Sequence, residues 1–190
     1  MKYKLYKFLR ANLKSDNGTN RDWEIGTWRK EDDIDICNKG FHSSKTPLQS
    51  LGYVKGEIIA EVEVRGESII QDDKECWSEM CIVKAWHWTK EDSVSLAIFC
   101  AEQVLDIFEK KYPNDDRPRK AIEVAKAWLA SPTKENAYAA ANAAVYAADA
   151  TNAAANATNA AANAANARKE LIKKIDAWFE EKIKTLKKYE

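Results

Sequence analysis

Glu57-Ile58-Ile59-Ala60-Glu61-Val62-Glu63-Val64 carries period-two alternation with β-branched residues, and no other stretch reads so clearly as a strand. Working back from it, residues 3–9 (Tyr-Lys-Leu-Tyr-Lys-Phe-Leu) predict an opening strand, and Asp16-Asn17-Gly18 marks a turn. A further strand is expected over Trp23 to Trp28. Asn38-Lys39-Gly40 predicts a turn that delivers Phe41 and His42, and Pro47 fits the first turn of a short helix holding Leu48, Leu51 and Tyr53. Working forward, a last strand is expected around Met80 to Val83.

From Glu91 the period changes. Val94, Ala97, Ile98, Ala101, Leu105 and Phe108 recur at helical spacing, and Leu96, Cys100 and Ile107 make a second apolar face. Pro113 stops this helix. Asp115 or Asp116 can cap a second one, with Pro118 in its first turn and Ile122, Ala125 and Leu129 as the buried stripe. Between Ala137 and Ala167, nineteen of thirty-one residues are alanine and six are asparagine, with no glycine or proline, which predicts a long helix. Its polar positions, Asn142 through Asn166, step by three or four and form one stripe, read as solvated or as hydrogen-bonded to a neighbouring helix. From Arg168 an ordinary amphipathic helix follows, with Leu171, Ile172, Ile175, Phe179, Ile183 and Leu186 on one face. A straight rod over residues 133–188 would be roughly 80 Å long, so the chain is expected to bend back or extend into a partner. The fold class is therefore α+β: a small, mainly antiparallel sheet module over residues 1–90, then an alanine-rich helical bundle over residues 91–190.

Thirty basic and thirty acidic residues cancel in a chain of 190, so charge gives no argument for nucleic acid. Residues 1–17 lack the apolar run of a signal peptide, and the asparagines keep the alanine tract below the hydrophobicity of a membrane span. Cys37, Cys76, Cys81 and Cys100 have no paired spacing and stand among apolar residues, the pattern of buried free thiols in a reducing compartment. The expected location is the cytoplasm, of a host cell if the protein is viral.

Gly40-Phe41-His42-Ser43-Ser44 is the first candidate site, because a turn glycine places a histidine and two hydroxyls at the end of a strand. The competing reading makes His42 a structural hydrogen-bonder and gives the serines to the cap of the helix begun at Pro47. Trp77, Trp86, His87 and Trp88 can stack on a base or nicotinamide, or can pack a core. Asp115-Asp116-Arg117-Pro118-Arg119 offers a helix start and two guanidiniums to a phosphate, or a clasp closed within the protein. Glu61 and Glu63 share one side of a strand, a spacing open to acid–base work but equally that of a solvated face. The ligand-binding set is thus His42, Ser43, Ser44, Trp77, Trp86, Arg117 and Arg119. No motif names a catalytic residue, a metal site or a cofactor.

Tyr112-Pro113-Asn114-Asp115-Asp116-Arg117-Pro118-Arg119-Lys120-Ala121-Ile122-Glu123, with Cys100-Ala101-Glu102 before it and the alanine tract after it, resembles the immunity proteins of the fifth immunity group, from about Asp92 to Leu186. Ile36-Cys37-Asn38-Lys39-Gly40-Phe41-His42 through Ala60-Glu61-Val62-Glu63-Val64-Arg65-Gly66-Glu67 is similar to an uncharacterised domain of phage and other mobile-element proteins. These resemblances imply a part in bacterial conflict, neutralising a toxin or countering a defence system. In its order of elements the front half also resembles ADP-ribosyltransferases of the Arg-Ser-Glu type, with Lys7 or Arg10, then Ser43 and Ser44, then Glu79 falling in the family's order. Lysine stands nearest the arginine position, and Trp77 replaces the companion glutamate, which implies a nucleotide-binding scaffold without efficient transferase chemistry.

The sequence thus predicts a non-enzymatic binding protein that sequesters a nucleotide-derived signal or occupies a macromolecular target such as a toxin or defence protein. The alternative is an NAD-using enzyme on an ADP-ribosyltransferase-like scaffold. Because alanine buries little area, the long helix is expected to gain cover from a second copy, giving a homo-oligomer.

Overall fold

The computed structural model describes residues 4–16, 22–133 and 164–190. Its largest element is a hairpin of two thirteen-residue strands, β4 (Ile58–Ile70) and β5 (Glu75–His87), paired from Ile58 opposite His87 to Ile70 opposite Glu75. Three shorter strands complete an antiparallel sheet. Strand β1 (Leu5–Leu9) takes the free edge of β4, with Leu5 opposite Val62 and Leu9 opposite Ile58. The far edge of β5 is shared: β3 (Phe41–Ser43) pairs with Glu75–Trp77, and β2 (Trp28–Lys30) pairs with Glu79–Cys81. Farther along that edge the C-terminal segment arrives, with the His87 N–H donating to the Lys187 carbonyl at 2.9 Å and the Tyr189 N–H to the Ala85 carbonyl at 2.9 Å. One step past β3, Ser44 exchanges both backbone hydrogen bonds with Tyr6, at 2.8 and 2.9 Å, so the path of the sheet returns to β1. Leu5, Leu9, Phe41, Ile58, Ala60, Val62, Met80, Ile82 and Ala85 fill the interior.

The expected strands at 3–9 and 57–64 are present, and the α+β class holds. Both hairpin strands run well beyond their expected bounds. Register shifts at Glu61/Val62 and between Arg65 and Ser68 break the alternation that a sequence shows, and the distal half of β4 is largely exposed and polar. Gly66 sits at the second shift with φ +86°, and a Cβ there would lie 2.2 Å from Ser78 Oγ, so the irregularity needs glycine. The strand expected from Trp23 to Trp28 begins only at Trp28, because Gly26 turns the chain at φ +84°. Helix α1 (Pro47–Tyr53) is capped by Thr46, in a reciprocal box with Gln49, and not by the serines. Ser50 on α1 instead accepts the Phe8 N–H at 2.9 Å, tying the helix to β1.

Contacts divide the chain into Met1–Trp88 with Asp176–Glu190, and Thr89–Ile175. In the second unit α2 (Lys90–Lys111) starts in a Thr89–Asp92 capping box and ends before Pro113. Helix α3 (Arg117–Ala130) packs Ala121, Ile122, Ala125 and Trp128 against Val94, Ile98 and Ala101 of α2. Helix α4 (Ala164–Thr185) runs from the second unit into the first, where Phe179 is fully buried. There the Phe179 ring stacks on Trp88 at 5.4 Å between centroids, and Phe8 meets the same indole edge-on at 5.6 Å. The expected long alanine helix and most of its asparagine stripe lie outside the described residues. Among the described residues no helix is long and apolar enough to cross a membrane.

All four cysteines are unpaired. Cys76 and Cys81 are buried and Cys100 half-buried, where loss of solvation pushes its thiol up to about 11. Cys37 departs from expectation: it is exposed, with φ +72°, on the loop before β3.

Candidate functional site

Gly40 is the hinge of the site. Its φ is +98°, and a Cβ at this position would lie 2.6 Å from Cys76 Sγ, so only glycine brings the loop of residues 35–39 this close to β5. The Asp35 and Lys39 backbones pair, and Cys76 Sγ donates to the Lys39 carbonyl at 3.1 Å. The chain then enters β3 with His42, Ser43 and Ser44 on the wall of a cavity of about 550 Å³. Lys7, Trp23, Cys37, Lys39, Phe41, Tyr53 and Lys74 share that wall.

Within it the imidazole of His42 is committed to its own loop. Nε2 accepts the Cys37 N–H at 3.0 Å, and the ring makes a second hydrogen bond with the Gly40 backbone. Loss of solvation, then the Lys7 and Lys74 ammonium groups, lower its pKa to about 4, so the ring is neutral at pH 7. His42 therefore shapes the site, in keeping with the structural reading of this residue. Ser43 differs: it is 3% exposed, and its Oγ is buried with no hydrogen-bond partner. Ser44 is equally buried and spends its backbone on Tyr6.

Charge enters from three sides. Lys7 Nζ donates to the His42 carbonyl at 2.9 Å and lies 5.8 Å from the Trp23 ring centre. Lys74, in the β4–β5 turn, donates to Cys37 Sγ at 2.9 Å and lies 5.0 Å from the Tyr53 ring centre, while the Tyr53 hydroxyl binds Asp73. Lys39 pairs with Asp33 at 3.3 Å. Against these lysines the wall carries Asp16 and Glu31, and Arg10 holds Asp16 at 2.5 Å. Lysines and ring faces in a space of this size suit a small ligand with an anionic group and a ring.

The remaining sequence candidates are not brought to this wall. Trp77 donates Nε1–H to Glu75 at 2.9 Å, holding a carboxylate that is fully buried and sits opposite Ser43 in the strand register. Trp86 is a buried residue of β5 opposite Ile59. In the second unit Arg117 binds Asp115 at 2.6 and 2.8 Å, and Arg119 makes a two-pronged pair with Glu109 at 2.7 Å each. The Arg117 contact pulls the Asp115 carboxyl down to about 2. Among the residues in the Arg-Ser-Glu order, Lys7 meets Ser43 and Ser44 on the wall, whereas Glu79 is outside it and binds Arg65 at 2.6 Å. Sequence reasoning missed Cys37, Lys74, Trp23 and Tyr53 as wall residues. They come from separate turns and a helix end, and no spacing links them.

No curated protein and no solved structure matches the chain. Residues 3–92, which include the cavity, are similar to the domain of unknown function DUF7666, and residues 87–169 are similar to the family described as Imm-5 like putative immunity protein.

Proposed function

We propose that this chain is an immunity-type binding protein of bacterial or phage conflict, and that its front cavity sequesters a small nucleotide-derived ligand without transforming it. The immunity-type role rests on the Imm-5 like match over residues 87–169, a family whose name implies engagement of a toxin or effector. The ligand rests on one observation: the Lys7 and Lys74 ammonium groups lie beside the Trp23 and Tyr53 rings on one cavity wall, charges for an anionic group next to faces for a ring. Native mass spectrometry of the full chain purified from cells tests the reading, which requires a bound small molecule that ultraviolet absorption identifies as a ring. Protein free of any such mass, with no affinity for a panel of nucleotides, contradicts it.

The NAD-using alternative draws on the meeting of Lys7 with Ser43 and Ser44 at one wall. Release of nicotinamide on incubation with NAD supports it, and intact NAD argues for sequestration. Self-association through the alanine-rich segment belongs to the same proposal; light scattering that gives a monomer mass at micromolar concentration removes it.

A further inference from the structure

The contact between Cys37 and Lys74 joins two segments of the cavity wall that are remote in sequence. Cys37 stands on the loop before β3, and Lys74 closes the β4–β5 turn. Their Sγ and Nζ atoms are 2.9 Å apart, a nitrogen–sulfur approach that already has the partners of a bond in place. Cys37 is exposed to solvent and holds a left-handed backbone conformation, φ +72°, that a side chain rarely adopts. Its N–H donation to His42 Nε2 fixes that conformation, so the loop keeps the sulfur facing the amine. Cys76 and Cys81 are buried and do not share this exposure.

We propose that Cys37 and Lys74 form a modification site for hydroperoxides, in which the oxidised sulfur is captured by the neighbouring amine as a covalent S–N bridge across the cavity. In the first step the Cys37 sulfur attacks one peroxide oxygen. The O–O bond breaks, sulfur gives up two electrons, and the thiol with one hydrogen peroxide becomes a sulfenic acid and one water. In the second step Nζ of Lys74, after releasing its ammonium proton to solvent, attacks that sulfur. The S–N bond forms as the S–OH bond breaks, and the hydroxyl leaves as water with a proton from Nζ. The bridge removes the Lys74 charge from the wall and ties the loop of residues 35–39 to the hairpin turn. A thiol reductant such as dithiothreitol restores both side chains. This inference does not depend on the nature of the cavity's ligand.

Intact-mass and peptide analysis of the full chain after brief hydrogen peroxide treatment tests it, with wild type, Lys74→Arg, Cys76→Ser and Cys37→Ser in parallel. Wild type and Cys76→Ser should lose two hydrogen masses, yield a joined peptide pair containing Cys37 and Lys74, and return to the starting mass with dithiothreitol. Lys74→Arg, which keeps the charge without a primary amine, should instead gain one oxygen at Cys37 that dimedone traps; Cys37→Ser should show neither product. Oxygen addition alone in wild type overturns the proposal. So does a two-hydrogen loss that survives in Lys74→Arg and disappears in Cys76→Ser, which identifies a disulfide.

Discussion

The ring of Phe179 lies over that of Trp88 at 5.4 Å and 23° between planes, so a residue near the C terminus is part of the core built by the first 88 residues. Trp178 adds an edge-on contact to the same indole at 6.3 Å. The sheet module therefore includes residues from both ends of the chain.

Replacing Phe179 with alanine should destabilise the protein by about 3–5 kcal/mol, the cost of emptying a fully buried aromatic site. Urea denaturation followed by tryptophan fluorescence measures it. A change under about 1 kcal/mol would mean that the stack contributes little to the first unit.

Acid should weaken the fold through His42. The folded imidazole takes up its proton only near pH 4, whereas an unfolded histidine does so near 6.5. Its contribution is therefore complete above pH 6.5 and is lost as pH falls through 4. Comparing urea midpoints of wild type and His42→Gln between pH 7 and 4 isolates the effect, since carboxylates shared by both proteins cancel. Wild type should lose stability relative to the variant across this window. An imidazole resonance for His42 that titrates near 6.5 would contradict the account.

Arg119→Ala should change thermal stability only slightly, and less still in high salt, because the pair with Glu109 is solvent-exposed. Ligand occupancy of the cavity should stay at the wild-type level. Loss of bound ligand with retained stability would return Arg119 to the list of binding groups.

How far these features were legible in the sequence depends on whether their cause is local. Pro47, Pro113 and the alternation over residues 57–64 act through neighbouring residues, and the structure has a helix start, a helix stop and a strand there. The turn at Gly40 was legible for the same reason, and with it the placing of Ser43 and Ser44. The full length of β5 was not, because its far edge is satisfied in turn by β3, β2 and residues 187–189, which come from distant parts of the chain. Arg117 and Arg119 read as anion binders only while their carboxylate partners are unknown; Asp115 is two residues away, but Glu109 comes from the preceding helix. Lys74 and Cys37 are thirty-seven positions apart and meet only once the hairpin is folded.

Substitution of Lys7 by methionine bears most directly on the cavity as a ligand site. Methionine keeps the length of the side chain and removes the ammonium with its bond to the His42 carbonyl, so the fold should lose only about 1–2 kcal/mol. Ligand binding should weaken roughly tenfold, the loss of one charged contact to the anionic group. Native mass spectrometry of both proteins purified from the same cells, with melting temperatures alongside, reads the two effects together. The account predicts a small molecule bound to wild type and depleted from a well-folded Lys7→Met; equal occupancy in the two proteins, or none in either, would contradict it.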